Sequence, residues 1–431
     1  MRTGTAPCGL RYGVRRGGSA VGYCALSIRC GTRDENGFGS GIAHFVEHTI
    51  FRGTTKKSAS VIAGYLDRLG GELNAYTTKE EIVLHATVLK EDLGKAARLL
   101  FELATEPTFP DDEIETERGV VLDEIISYKD NPAEDVYDKF EGMLFEGHPL
   151  GRPILGTTAS VKKITPEDLR RFVRTFFTPD RMAFTVVAPI DEKVLEKRVL
   201  RLVAKLFSDF STRPDGLGRN DKRTPDGLGR NDNSVISSGG EAGVEKSVSF
   251  SKTVDKRNHE VNAVIGSRAP SLYESEDRIT AAVLCSILGG PSSTSLLNKE
   301  LREKNGWVYG VECSYTQYAD TGIAAITFGC DRPNLDRCLK AIDRILARLR
   351  ETPLSGRTLK AYKKQLLGQL AIASDNGEAQ CLSMGKSLLA WGRIDSSADN
   401  RARIEAVTPE DLQKMAARVF APDRLSRLIY L

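Results

Sequence analysis

The 431-residue chain has no apolar run near the roughly 18 residues that a membrane-spanning helix needs, which argues against an integral membrane protein. It has almost no charge imbalance. Lys and Arg number 61 against 58 Asp and Glu, a net +3, so no electrostatic footprint for nucleic acid is expected. It has no CxxC pair among its eight cysteines, and none of them has an evident catalytic setting. Those cysteines sit mostly in apolar runs and read as small buried hydrophobes of a reducing compartment, not as a disulfide framework. No acid precedes Asp34, and the segment before it carries several arginines. Its first 18 residues, MRTGTAPCGLRYGVRRGG, have no apolar core, so no secretory signal is expected, and a strand beginning at Val21 leaves little room for a transit peptide. The expected compartment is the cytoplasm.

What is present is an ordinary globular composition, 40% hydrophobic and 28% charged. One stretch departs from it. Residues 208–245 are rich in Gly, Asp, Asn, Ser and Arg, and carry PDGLGRND twice, at Pro214–Asp221 and Pro225–Asp232. Such a segment cannot build a core and is expected to be a flexible linker. It divides the chain into residues 1–207 and 246–431.

The two parts resemble each other. Ile164-Thr165-Pro166-Glu167-Asp168-Leu169 returns as Val407-Thr408-Pro409-Glu410-Asp411-Leu412, and Phe177-Thr178-Pro179-Asp180-Arg181 as Phe420-Ala421-Pro422-Asp423-Arg424. The offset is 243 in both cases, and 245 for Pro107–Ile125 against Thr352–Leu370. Each Thr-Pro-Glu-Asp predicts a helix start, with Thr as cap and Pro at the first position. The pattern predicts an α+β fold: two homologous α/β sandwich domains from an internal duplication, each a mostly antiparallel sheet packed with helices.

The chemistry concentrates at His44-Phe45-Val46-Glu47-His48. The chain has only five histidines, so two of them four apart around a Glu form a specific signal. On a helix, His44, Glu47 and His48 share one face, and two imidazoles can chelate one zinc. HxxEH is the inverted form of the HExxH metallopeptidase signature. A catalytic zinc wants a third protein ligand and an open position. The predicted helix 111–128 offers Glu117 and Glu124 on one face, beside Ile114, Val121 and Ile125.

Further runs join this one: Phe51-Arg52-Gly53-Thr54, Leu73-Asn74-Ala75-Tyr76-Thr77, and Glu117-Arg118-Gly119-Val120-Val121-Leu122-Asp123-Glu124. Together they resemble the pitrilysin/insulinase family of zinc peptidases, nearest the mitochondrial processing peptidase-type branch. The resemblance spans nearly the whole chain. It implies that His44, His48 and Glu124, which stands at the family's spacing beyond His48, bind one zinc per chain. Glu47 would be the general base, taking a proton from the zinc-bound water and passing it to the leaving amine. Glu117 would support the site from behind the ligands. Asn74 and Ala75 would lie on an edge strand where substrate adds as a further strand. In the second part, Arg302 and Tyr309 match the family's Arg–Tyr pair, with Arg302 holding the substrate backbone and Tyr309 stabilising the oxyanion.

The resemblance also implies a paired, chamber-forming assembly, a homodimer or a heterodimer, that cuts peptides or unfolded segments. The alternative is an inactive scaffold subunit of the same fold. The duplication argues for one zinc. The second-part counterpart of the HxxEH helix, near Ala281–Gly289, has no His or Glu, and Glu117 and Glu124 correspond to Tyr362 and Gln369. Of the other histidines, His85 is expected to face solvent, His148 to lie in a loop that could border the chamber, and His259 needs no role.

Overall fold

The computed structural model describes residues 1–208 and 249–431. The predicted linker and both copies of its octapeptide lie outside the described residues, apart from Ser208 at the end of a helix. The first half runs β1 (Arg2–Thr5), β2 (Arg11–Arg16), β3 (Val21–Ile28), α1 (Ile42–Thr49), α2 (Ala59–Asp67), β4 (Glu72–Thr77) and β5 (Ile82–Leu89). It continues α3 (Leu93–Thr105), α4 (Asp111–Lys129), α5 (Pro132–Leu144), α6 (Thr158–Val161), α7 (Pro166–Phe176), β6 (Met182–Ala188) and α8 (Glu192–Ser208). The second half runs β7 (Ser251–Val254), β8 (Val261–Ala269), α9 (Ser275–Gly289), β9 (Val308–Gln317) and β10 (Gly322–Cys330). Then follow α10 (Leu335–Glu351), α11 (Gly356–Ala373), α12 (Gly377–Trp391), α13 (Ser397–Ala406), α14 (Pro409–Val419) and β11 (Ser426–Tyr430).

The sheets carry the duplication. Their orders are β1-β2-β6-β3-β5-β4 and β7-β11-β8-β10-β9. In each, the pair β2·β6 or β7·β11 is parallel and the neighbours that follow are antiparallel. The predicted α+β fold of two homologous units is therefore what the chain adopts. Thr165 and Thr408 cap α7 and α14 as predicted, each accepting from the backbone N–H of the aspartate three residues on.

The sequence reading began its first strand at Val21, and the structure corrects it. The basic N-terminal segment forms β1 and β2, the outer strands of the first sheet. Leu10, Tyr12 and Val14 alternate into the core while Arg11 and Arg15 take the less buried positions between and beyond them, so arginine density hides a two-residue period.

The halves exchange helices. Val136, Phe140 and Leu144 of α5 pack on Val264, Ile323, Ala325 and Leu428 of the second sheet. Cys381 and Met384 of α12 pack on Ala25, Val83 and Val187 of the first. With starts at Pro132 and Gly377, the two helices correspond through the longer offset of the sequence repeat. Each buried Phe, Leu or Met is worth about 1.5–3 kcal/mol, so the exchange ties the halves firmly. A polar clamp adds to it: Arg33 holds Asp320 through paired contacts of 3.2 and 2.7 Å, and Glu80 accepts from Ala319 N at 2.9 Å.

Two residues are corrected or placed here. His85 is not solvent-facing: α12 covers it, with Nδ1 3.0 Å from Glu378 Oε1. His148 lies at the junction of the halves, with Nε2 3.2 Å from Asp320 Oδ2. All eight cysteines are free and all but Cys8 are buried, as expected.

Candidate metal centre

The helix α1 is short, and its apolar face (Ile42, Phe45, Val46) is fully buried. That orientation turns the opposite face, with His44, Glu47 and His48, toward α4. On α4, Ile114, Val121 and Ile125 join the same core, and Glu117 and Glu124 rise beside them toward α1. Gly41 precedes α1 with φ 88°, and a Cβ there would meet Leu155 O at 2.7 Å, so only glycine fits this start.

The side chains converge. One ligand atom each from His44, His48 and Glu124 lie within 4.8 Å of one another. Glu124 Oε2 is 3.2 Å from His48 Nε2 and 3.7 Å from His44 Nε2. His48 Nδ1 is 3.1 Å from Glu117 Oε2, and the Arg52 guanidinium contacts the other Glu117 oxygen. Two imidazole nitrogens and one carboxylate oxygen suit zinc, and the 42% exposure of the Glu124 side chain leaves one side open for water. Glu117 on His48 is a carboxylate–histidine arrangement that would fix the tautomer of a ligating imidazole and leave Nε2 for a metal.

The electrostatics follow from burial and proximity. Burial, with the neighbouring His48, pushes His44 down to about 4, so it is neutral and able to ligate at physiological pH. Burial lowers His48 as well, but Glu124 and Glu117 outweigh it and raise the imidazole above its ordinary value. His48 holds the Glu124 carboxyl below the usual range. Burial pushes the Glu47 carboxyl up. Glu47 faces Thr77, the last residue of β4.

Among the described residues, the strand β4 stands at the sheet edge and pairs only with β5. It carries Asn74 opposite His85 and Ala75 opposite Leu84. Arg302 and Tyr309 belong to the second half. Arg302 lies exposed in a π-helical segment, Asn298–Lys304, a local geometry common at functional sites. Tyr309 is 63% exposed on β9, the edge strand of the second sheet, and its hydroxyl donates to Asp331 at 2.8 Å.

Two residues of the site escaped the sequence reading. Arg52 stands one turn beyond His48, and its place within the Phe51–Thr54 run was the available signal. Glu35 accepts backbone N–H groups at the start of α1, and no periodicity announces it.

Residues 17–158 match the family model described as insulinase (peptidase family M16), and residues 163–366 match the peptidase M16 inactive domain. An uncharacterized zinc protease of Streptomyces coelicolor is 30% identical over 422 residues, covering 97% of this chain and 87% of its own. The chain belongs to the insulinase (M16) peptidase family. An uncharacterized zinc protease of Bacillus subtilis is 28% identical over 403 residues, covering 93% and 91%. Among solved structures, a protease from Helicobacter pylori matches the whole chain with a TM-score of 0.85 at 20% identity, over 99% of that chain. The second M16 model begins at residue 163, so it takes in the helix α7 and the strand β6, and β6 lies within the first sheet, between β2 and β3. Among the described residues, no helix is long and apolar enough to cross a membrane.

Proposed function

We propose that this M16 chain is a zinc-dependent endopeptidase that hydrolyses peptides or unstructured protein segments. One observation carries the reading: the convergence of His44, His48 and Glu124 beside Glu47. In it, residues 1–207 form the catalytic domain and residues 246–431 a homologous domain without a metal. When bound, zinc supplies a Lewis acid and renders a water acidic near neutral pH.

The chain's own residues do the rest. Glu117 holds the His48 ring through Nδ1, and Arg52 balances the Glu117 charge. Glu47, in a partly desolvated position, takes a proton from the attacking water and returns it to the leaving amine. The open edge of β4, through Asn74 and Ala75, receives the substrate as an added strand, which binds backbone without requiring one sequence. Arg302 and Tyr309 reach the substrate from the second half, Arg302 on its backbone and Tyr309 donating to the carbonyl oxygen as charge develops there. Two chains pair to enclose a cytoplasmic chamber that admits extended polypeptides.

Cleavage of a quenched, unstructured peptide tests this. The chain is expected to cut it, to stop on adding a chelator and to recover on adding zinc. Cleavage that persists through complete removal of metal would sink the reading.

A further inference from the structure

We propose that Glu35 is a positioning residue of the metal centre, whose carboxylate fixes the start of α1 and so the placing of His44 and His48. The inference rests on the zinc reading above but draws on different atoms. Glu35 is 1% exposed. Its Oε1 accepts from Gly41 N at 3.0 Å and from Ala43 N at 3.1 Å, and its Oε2 lies 3.0 Å from Gly41 N. The helix has no side-chain cap of its own, because Gly41 occupies that position. A carboxylate from the preceding loop therefore satisfies the donors that would otherwise be orphaned. His44 is the third residue of α1, within the turn that would fray if those donors were released.

The carboxylate is retained against a cost. Burial pushes it up to about 7, although Ala43 N and Gly41 N pull the other way, as do the facing charges of Arg152 and Lys79. Lys79 is itself committed to Glu141 at 3.1 Å. Such a group is an expensive way to hold a loop unless the loop's position matters.

The second half supplies the control. At an offset of 240, Gly31 and Asp34 correspond to Ser271 and Glu274. The local turn bond is kept in both: Gly31 N donates to Asp34 at 3.0 Å and Ser271 N to Glu274 at 2.8 Å. The counterpart of Glu35 is Ser275, the first residue of α9. The acid that shapes the turn survives in both halves. The acid that pins the ligand helix survives only where the ligands do.

The test uses the full chain and two readouts: zinc affinity by competition with a chromophoric chelator, and hydrogen exchange of residues 41–51 without zinc. E35Q is expected to weaken zinc by about 10- to 100-fold, the range for groups that orient ligands, and to speed exchange at 41–51. D34N, which disturbs only the neighbouring turn, is expected to leave both unchanged. E35D keeps the charge one methylene shorter and is expected to bind zinc more tightly than E35Q. Parental affinity and exchange in E35Q would overturn the proposal, as would equal losses in E35Q and D34N, or equal affinities in E35D and E35Q. If the parent itself binds no zinc, the zinc reading fails, while exchange at 41–51 still decides whether Glu35 holds the helix.

Discussion

Where α1 meets α4, the first half gathers His44, His48, Glu47, Glu117 and Glu124. Where α9 meets α11, the second half has the five corresponding strands behind it in the same order, without a counterpart of β1, but neutral groups in front. Gln369, Gln365, Tyr362 and Ser286 line that place, with the Tyr362 hydroxyl donating to Thr294 O at 3.2 Å and Thr294 Oγ1 donating to Gln365 at 3.2 Å. Burying a charge costs far more than burying a hydrogen-bonded neutral group, and the second half builds the same fold with neutral groups, so the fold does not need the acids and imidazoles. Their retention in one half is what the proposed metal chemistry requires.

That contrast can be broken at its sharpest point by Glu124→Gln, which gives the first half the residue of the second. It is expected to weaken zinc by well over about 100-fold, beyond what outer groups contribute, and to abolish cleavage. Equilibrium dialysis against zinc measures it. Glu47→Gln should do the opposite: zinc stays near one per chain while turnover falls about 10²–10⁴-fold, the usual share of a general base. Metal loss in that variant would refute the division of roles.

Arg52→Gln removes the partner of Glu117 and should weaken zinc by about 10-fold, read by chelator competition. Gln369→Glu in the second half should add no zinc, because α9 has no histidine to complete a site. The smallest effect concerns the clamp between the halves. Burial raises the Asp320 carboxyl, but Arg33 outweighs it and holds it below its ordinary value. A depressed carboxyl stabilises above the unfolded value, about 3.9, and the gain is lost as pH falls through the folded one. Asp320→Asn should therefore flatten the fall of Tm below about pH 4.

The candidate ligands were legible because a helix fixes His44 and His48 by spacing alone, and because Glu124 belongs to a run that resembles a known family. The paired halves were legible from Thr-Pro-Glu-Asp and Pro-Asp-Arg, which encode caps and turns locally. What stayed hidden is tertiary. Nothing in Pro132–Leu144 says that it packs on the other half's sheet, and His85 looked solvent-facing because α12, which covers it, belongs to the other half of the chain. Glu35 and Arg52 act through a backbone N–H and a second carboxylate, partners that no periodicity reveals.

The central claim is that one half alone carries a working metal centre. Zinc counted per chain on the purified protein tests it most directly. The account predicts one zinc in the parent, one in Gln369→Glu and none in Glu124→Gln. Two zincs in the parent, or one retained by Glu124→Gln at parental affinity, would contradict it.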